Sequence, residues 1–170
     1  MMPAPKMLVD GKDRRLVRRT FRRPLRVYVA SSARNERFTQ VVQVLLAAGH
    51  DVYNFREQPT FFPWSDIISD ARHCSAEDQR QALLHERAES AFQEDMGAVI
   101  AADACVLVLP AGASSHLEAG FAVGAGKRVV ILLADNREPE LMNKMVTTIC
   151  TSIEEVVDAL APCQSMRASR

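Results

Sequence analysis

The sequence predicts an α/β domain of three layers, in which a five-stranded parallel sheet has the flavodoxin-like strand order 2-1-3-4-5. Short apolar runs alternate with helical segments from residue 24 onward, and this alternation is typical of a parallel sheet covered on both faces. The first β-α-β unit is compact, because Gly49 follows a helical pattern and ends it before the second strand. Gly126 ends a later helix in the same way.

Each predicted element follows from its own pattern. The strands are expected at 25–30, 51–55, 104–109, 128–133 and 147–150, and the helices at 38–48, 76–101, 115–125, 138–145 and 152–160. Ser75 is expected to cap the long helix together with Asp78. The segment 56–75, which is polar and aromatic and longer than an ordinary connection, is interpreted as a lid.

The composition limits the class of protein. A chain of 170 residues with 48% hydrophobic content fits one domain. No apolar run approaches the roughly 20 residues of a membrane span, so we expect a soluble, cytoplasmic protein. The four cysteines stand at none of the spacings of a metal site, and we interpret them as reduced thiols, with Cys105 and Cys150 in the core. Neither a metal nor a cofactor is expected.

The charge is unevenly distributed along the chain. Residues 1–26 hold nine Lys and Arg against two acidic residues, although the whole chain is neutral. We therefore expect a basic, disordered leader over 1–23, one α/β domain over 24–162 and a short tail over 163–170. Contact with nucleic acid is expected at most through the leader.

Glu118 is the candidate catalytic residue. It lies where an apolar strand passes through the small-residue loop 110–115 into a helix, and ligands of open α/β sheets bind at the carboxyl ends of the strands. The small residues leave room for a ligand, and the helix dipole is expected to hold the carboxylate ionised, as a nucleophile requires. Ser115 and Glu118 also match a capping box, a structural role that would explain both residues without a ligand.

A second acid is needed if Glu118 attacks a glycosidic carbon, because the leaving group must be assisted. Asp95, near the end of the preceding helix, and Asp103, directly before the third strand, are the candidates. A solvated position on the helix would also explain Asp95, and a turn or cap would explain Asp103.

The end of the first strand carries another group of polar residues. Two hydroxyls, a guanidinium and a side-chain amide follow the strand beside a helix N-terminus: Ser31, Ser32, Arg34 and Asn35. Backbone amides and a helix dipole attract phosphate, and arginine binds it in a bidentate manner, so this loop is a candidate anion site. Serine and asparagine are also ordinary turn residues, so a purely structural role stays open.

Together these motifs resemble the nucleoside 2-deoxyribosyltransferase superfamily, and within it most of all the deoxynucleoside 5′-monophosphate N-glycosidases. The likeness covers roughly residues 25–135. Its most specific element is the small-residue loop followed by Glu118, Gly120 and then Gly126-Lys127 before a strand. Gly112 stands where the family has an aspartate or a serine, with Ser114 or Ser115 as the substitute.

The resemblance implies roles for individual residues. Glu118 would attack C1′ of the sugar, and Asp95 would position the sugar or assist the base to leave. His116 and Trp64 are candidates for contact with the nucleobase, the latter by stacking, although Trp64 would equally plug the edge of the core. The residues expected around the substrate are Tyr28, Ser31, Ser32, Arg34, Asn35, Trp64, Asp103, Gly112, Ser114, Ser115 and His116.

The resemblance also implies partners. The ligand would be a nucleoside or a nucleotide, and the chain a homodimer or a higher homo-oligomer, because residues 138–142 correspond to a region that reaches a neighbouring subunit's site in the resembled transferases. The chain is also similar to TIR domains, some of which cleave the nicotinamide glycosidic bond of NAD. A non-catalytic sensor that holds a nucleotide in the same pocket is the alternative from another class.

Overall fold

The structure, a computed structural model, describes residues 23–161. The parallel strands are β1 (Arg26–Ser31), β2 (Asp51–Tyr53), β3 (Ala104–Val108), β4 (Arg128–Leu132) and β5 (Thr148–Cys150). The α-helices are α1 (Arg37–Ala47), α2 (Ala76–Leu83), α3 (Glu86–Ala101), α4 (Ala113–Gly124) and α5 (Ile153–Ala159). The expected leader, except its last residue, and the expected tail with Cys163 lie outside the described residues.

The sheet has the order β2-β1-β3-β4-β5, with every neighbouring pair parallel, as the sequence predicted. The register places Tyr28 of β1 between Tyr53 of β2 and Cys105 of β3. Because successive side chains of a strand point to opposite faces, these three side chains share one face of the sheet.

The two faces of the sheet are covered by different helices. Helices α1 and α5 cover one face with Phe38, Val41, Leu45, Val156 and Leu160. Helices α3 and α4 cover the other face, where Val99, Ala119 and Ala122 pack around Tyr28 and Cys105. Cys105 and Cys150 are buried free thiols, as expected. None of the helices within 23–161 combines the length and apolar character that a membrane crossing needs.

Two predicted helices differ from the structure. The long helix expected at 76–101 is divided into α2 and α3, because the side chain of His85 accepts a hydrogen bond from the Arg87 amide (3.2 Å) and caps a new helix. The Ser75–Asp78 capping box of α2 is present as expected. The helix expected at 138–145 is only a 3₁₀ turn at Leu141–Met145, since the preceding Glu140 has extended backbone angles (φ −94°, ψ 120°).

The Gly126-Lys127 motif has a structural role. Gly126 takes a left-handed conformation (φ 70°) that turns the chain after α4. Lys127 then donates from Nζ to the carbonyl oxygens of Ile100 (2.7 Å) and Ala102 (2.6 Å) at the end of α3. A cation at this helix end offsets the negative end of the dipole, so Lys127 fixes α3 against the sheet.

Candidate active site

Glu118 lies in the second turn of α4, part-buried over the face of the sheet that α3 and α4 cover. Its carboxylate interacts with the Tyr28 hydroxyl, which donates a hydrogen bond, and with the charge of Asp95 on α3. Cys105 lies below it on β3. The carboxylate is therefore held between two helices and the middle of the sheet.

The capping box expected at Ser115 and Glu118 is wrong. Helix α4 begins earlier, because Ala113 and Ser114 are already helical and Gly112 is the N-cap residue, without a side-chain cap. Ser115 consequently lies within the first turn and is buried, and Glu118 falls one turn beyond the free amides. Capping thus does not account for the carboxylate of Glu118.

Asp95 has its own tyrosine partner. The Tyr53 hydroxyl donates a hydrogen bond to the Asp95 carboxylate at 2.9 Å. The Tyr53 ring stacks on the Tyr28 ring, with 5.4 Å between the centroids and 14° between the planes. The stacked rings thereby hold two phenol–carboxylate pairs side by side: Tyr28 with Glu118, and Tyr53 with Asp95.

Burial controls the charges of both acids. Burial and, to a smaller extent, the nearby charge of Asp95 raise the pKa of Glu118, the Tyr28 hydroxyl counteracts part of this shift, and the net result is a pKa of about 7. Burial also raises the pKa of Asp95, against the lowering effect of the Tyr53 hydroxyl. The expectation that the helix dipole keeps Glu118 ionised is therefore wrong, because Glu118 lies past the first turn, where the dipole acts.

The tyrosines are stable hydrogen-bond donors. Burial raises the pKa of Tyr28 and of Tyr53 far above the ordinary value, and the neighbouring carboxylates raise it further. Both phenols therefore keep their protons throughout the physiological range. Tyr28, which was expected to touch the substrate, is only 1% exposed, so its position is beneath Glu118 and its role is to support that carboxylate.

Ser31 and Asn35 connect two loops instead of facing a ligand. The Ser31 hydroxyl donates to the Val108 carbonyl (2.9 Å), and the Asn35 side-chain amide donates to Ser31 Oγ (3.0 Å). The same amide lies 3.1 Å from the carbonyl oxygens of Val108 and Pro110. Both residues are buried with these bonds made, so the structure contradicts their assignment as substrate-binding groups.

In the first loop, residues 32–36 between β1 and α1, the polar side chains that can still contact an anion are Ser32 and Arg34. Ser32 Oγ accepts a hydrogen bond from the Arg34 amide (3.2 Å), which leaves its own proton to donate. The Arg34 side chain is exposed. The amides of Asn35, Arg37 and Phe38 are bonded within the loop, so they do not form the predicted anion cradle.

Asp103 lies at the opposite edge of the sheet from the expected site. It directly precedes β3, and its carboxylate accepts a hydrogen bond from the Arg26 amide (2.9 Å) at the amino end of β1. Its assignment to the substrate is therefore wrong, and its role is to bridge the starts of two strands. Asp95 alone of the two candidate acids is brought to Glu118.

The small-residue loop is open on its outer side. Gly112 and Ser114 are exposed, and a Cβ at Gly112 would meet nothing within 4 Å, so its backbone is accessible to a ligand. His116 Nδ1 lies 2.8 Å from the Gly112 carbonyl and donates to it, which fixes the imidazole over this loop. Ser115 is buried and is not available at the surface.

The segment 56–75 is anchored to α3. Trp64 contacts Phe62 edge to face, with the ring centroids 5.2 Å apart, and the Arg87 guanidinium lies over the Phe62 ring. The Thr60 hydroxyl donates to the Glu94 carboxylate, next to Asp95. This attachment was not recognised in the sequence, because nothing in the pattern links Thr60 to a residue of a distant helix.

Two cavities accompany this segment. One of about 590 Å³ lies between residues 67–74 and α2, and one of about 240 Å³ lies between Pro59, Thr60 and the start of α3. Neither is lined by Glu118 or Asp95. Within residues 23–161, no three His, Cys, Asp or Glu side chains are arranged to hold a metal ion.

Tyr53 was also missed by sequence reasoning, although a signal existed. Tyr28 and Tyr53 occupy the third position of adjacent parallel strands that begin at the same level, and in-register pairing would have placed them side by side. The pattern of residues 51–55 by itself predicts a strand and indicates no contact for Tyr53.

The chain shares its fold with solved structures, one of which is a 2-deoxyribosyltransferase. A 2-deoxyribosyltransferase from Bacillus psychrosaccharolyticus matches with a TM-score of 0.53 and 20% identity, over 78% of this chain and 90% of that one. A conserved protein from Enterococcus faecalis V583 matches with a TM-score of 0.51 and 17% identity, over 78% and 94% of the two chains. A CMP N-glycosidase from Clostridium botulinum matches with a TM-score of 0.41 and 17% identity, over 79% and 95%.

No family model and no curated protein matches the sequence. The resemblance that the sequence predicted is confirmed at the level of the fold by the first two structures.

Proposed function

We propose that this chain is a member of the nucleoside 2-deoxyribosyltransferase superfamily, and that it cleaves or transfers the N-glycosidic bond of a nucleoside or nucleotide through Glu118. The observation that carries the proposal is the pair of carboxylates on adjacent helices above the sheet of this fold, Glu118 bonded to the buried Tyr28 and Asp95 to the part-buried Tyr53. The similar transferase structure supports the class of reaction.

Each residue has a distinct task in this mechanism. The ionised form of Glu118 attacks C1′ of the sugar, the bond from C1′ to the base breaks, and its electron pair goes to the base nitrogen. Tyr28 orients the attacking oxygen. Asp95, whose pKa is raised, supplies a proton to a neutral base as it leaves. Water or a second base then attacks C1′ and frees Glu118.

The test is the release of free base. We would incubate the protein with deoxynucleosides, their 5′-monophosphates, ribonucleotides and NAD, and separate the products by chromatography. Glu118→Gln is expected to lower the release rate at least about a thousandfold, because the nucleophile is lost. Glu154→Gln, on the exposed side of α5, is the matched control and should keep full activity. Equal activity of both variants would contradict the proposal.

The products also separate the alternatives. Release of nicotinamide from NAD without cleavage of deoxynucleotides would favour a TIR-like activity. Binding of a nucleotide without release of any base would favour the sensor. Formation of a new nucleoside when a second base is added would identify a transferase, since the same glycosyl-enzyme is then resolved by that base instead of by water.

We also propose that the chain forms a homo-oligomer through α3 and α4. These helices pack against each other, yet they expose large apolar side chains: Phe92, Ile100, Leu117 and Phe121. An exposed apolar surface of this kind is typical of a subunit interface. Sedimentation should give at least a dimer, and Phe121→Glu should dissociate it, whereas Leu46→Glu on the exposed side of α1 should not. A monomeric native protein at micromolar concentration would disprove the interface.

A further inference from the structure

The loop between β3 and α4, residues 109–112, decides where α4 begins and hence where Glu118 lies. Its first residue is fixed to the sheet, because the Leu109 amide donates a hydrogen bond to β4 at 3.0 Å. Beyond Leu109, one hydrogen bond in the described part of the chain joins this loop to another element: the Asn35 side-chain amide donates to the Pro110 carbonyl at 3.1 Å. This attachment lies three residues before the first residue of α4.

Asn35 is itself held in place on all sides. Its backbone amide donates to the Ser32 carbonyl (3.0 Å), and its carbonyl accepts from the Phe38 amide (3.2 Å) and from the Arg56 guanidinium (2.9 Å). Its side-chain oxygen accepts from the Arg37 amide (3.0 Å) at the start of α1. All four polar atoms of this buried residue therefore have a protein partner, so its side-chain amide is a fixed point for the neighbouring loop.

The position requires an amide and not merely a polar group. The two N–H groups of the Asn35 side chain face three oxygens, the Ser31 hydroxyl at 3.0 Å and the carbonyls of Val108 and Pro110 at 3.1 Å. An ionised aspartate has the same shape but no hydrogen to donate to a carbonyl oxygen. The start of α1 needs only an oxygen at this position, whereas the loop before α4 needs a donor.

A shift of the loop would be transmitted to Glu118 through α4. The buried side chains of α4 are small, namely Ser115, Ala119 and Ala122. A helix that packs through small side chains has few contacts that resist a movement along its axis. A misplacement of a reacting group on the order of 1 Å can cost about a hundredfold in rate. The attachment of the loop therefore bears directly on the reactivity of Glu118.

We infer that Asn35 is a positioning residue for the reaction of Glu118: its side-chain amide holds the Pro110 carbonyl and thereby sets the place of α4 and of the attacking oxygen. Asn35 acts through Glu118 and contacts no substrate itself. The inference rests on the proposed function, and it adds to the same site a residue from the loop between β1 and α1. That loop and the helix of the nucleophile are then one mechanical unit.

Base release by Asn35→Asp at pH 8 tests the inference. This variant keeps the volume and the oxygen that accepts from the Arg37 amide, but it loses the donors. We expect kcat to fall at least about thirtyfold and KM to change less than about threefold, because the attacking oxygen is misplaced while the substrate contacts remain. Asn35→Ala, which removes the donors without adding a charge, should give the same split. A loss of kcat in Asn35→Asp alone would assign the effect to the new charge and overturn the inference.

Ser31→Ala is the matched control, because it removes another hydrogen bond from the same buried network. The bond that it removes runs from the Ser31 hydroxyl to the Val108 carbonyl, and the Asn35 amide stays bonded to Pro110. The melting temperature should fall in Ser31→Ala as it does in Asn35→Ala, but kcat should stay within about threefold of the native value. An equal loss of kcat in both variants would mean that the stability of the network, and not the hold on Pro110, matters.

Amide hydrogen exchange separates the inference from the proposed function. Exchange at residues 116–122 of α4 should accelerate at least about tenfold in both Asn35 variants and less than about threefold in Ser31→Ala. Native exchange rates there in Asn35→Ala would overturn the inference. If the native protein releases no base, the proposed function fails, and exchange alone decides whether Asn35 positions α4. If it releases base and the Asn35 variants keep full kcat, the inference fails and the proposed function stands.

Discussion

Among residues 23–161, the hydroxyl of Tyr28 is the one group whose hydrogen bond lowers the pKa of Glu118. Tyr28→Phe removes the hydroxyl and keeps the buried ring. The pKa of Glu118 should then rise above about 7, so the acid limb of kcat/KM should move to higher pH. We expect a loss of about tenfold at pH 6 and a smaller loss at pH 8, measured as base release.

Tyr53→Phe serves as the comparison, since it removes a phenol from Asp95 and not from Glu118. In Tyr53→Phe, the acid limb of the pH profile of kcat/KM, which reports the ionisation of Glu118, should stay near its native position. An acid limb that stays in place in Tyr28→Phe, or moves to lower pH, would show that the phenol does not stabilise the nucleophile.

At the residue scale, the sequence pointed to the two acids and to Tyr28, but it indicated neither Tyr53 nor the pairing of each acid with a tyrosine. Glu118 was recognisable because a small-residue loop precedes it. The roles of Ser31 and Asn35 were not, because a polar residue in a turn has the same appearance whether it bonds to a ligand or to a neighbouring loop. Only the position of Val108 and Pro110 in space shows that both side chains are already bonded.

Among the elements, the first loop is fixed by a residue from the segment after β2. The Arg56 guanidinium donates to the carbonyl oxygens of Ser32 (3.1 Å) and Asn35 (2.9 Å), and it lies 4.3 Å from the centroid of the Phe38 ring. Burial lowers the pKa of Arg56, yet an arginine stays charged at any physiological pH. It therefore connects the 3₁₀ turn at Phe55–Glu57 to the start of α1.

Arg56→Met should lower the free energy of unfolding by about 2 kcal/mol, because two charged hydrogen bonds are lost and the ring contact is kept in part. Amide hydrogen exchange should accelerate at residues 32–35, and denaturant unfolding measures the stability. Arg34 is an exposed arginine in the first loop itself, and Arg34→Met should change the free energy of unfolding by less than about 0.5 kcal/mol. Similar losses in both variants would contradict a specific role of Arg56.

The boundaries of elements show where sequence patterns stop being informative. Helix α1 was predicted to within one residue, since its apolar spacing is regular and Gly49 follows it. The break between α2 and α3 was missed, because His85 caps a helix through a ring nitrogen and is not among the usual capping residues. The Lys127 contact with the end of α3 depends on tertiary packing and leaves no local pattern.

For the molecule as a whole, the raised pKa of Glu118 links stability to pH. The folded state holds the proton up to about pH 7, whereas the unfolded chain releases it near pH 4.5. The contribution of Glu118 to stability is therefore complete below pH 4.5 and is lost as the pH rises to about 7. Above that pH the folded protein must hold a buried charge.

Glu118→Gln should consequently be more stable than the native protein at pH 8, by up to roughly 3 kcal/mol, and equal to it near pH 4.5. Unfolding by urea at a series of pH values measures the difference. Glu154→Gln, exposed on α5, should follow the native curve. A constant difference across the range, or a variant that is less stable at pH 8, would argue against a buried carboxylate.

The topology of the whole sheet was predictable from the alternation of apolar runs with helices, since right-handed crossovers leave few strand orders. The juxtaposition of α3 and α4 follows from that order. What the order does not determine is how deeply Glu118 is buried, because that depends on where α4 begins relative to the end of β3. The N-cap residue is Gly112 and not Ser115, and this difference of three residues separates a capping acid from a carboxylate over the sheet.

The alignment of Tyr53, Tyr28 and Cys105 across three strands makes the proposed chemistry sensitive to strand length. Insertion or deletion of one amino acid inside β1, ahead of Tyr28, would turn that phenol toward α1 and present an aliphatic side chain to Glu118. Loop insertions would be harmless by comparison. Homologues that retain activity should therefore vary freely in their loops. They should preserve the number of amino acids between the start of each of these three strands and the residue at the position of Tyr53, Tyr28 or Cys105.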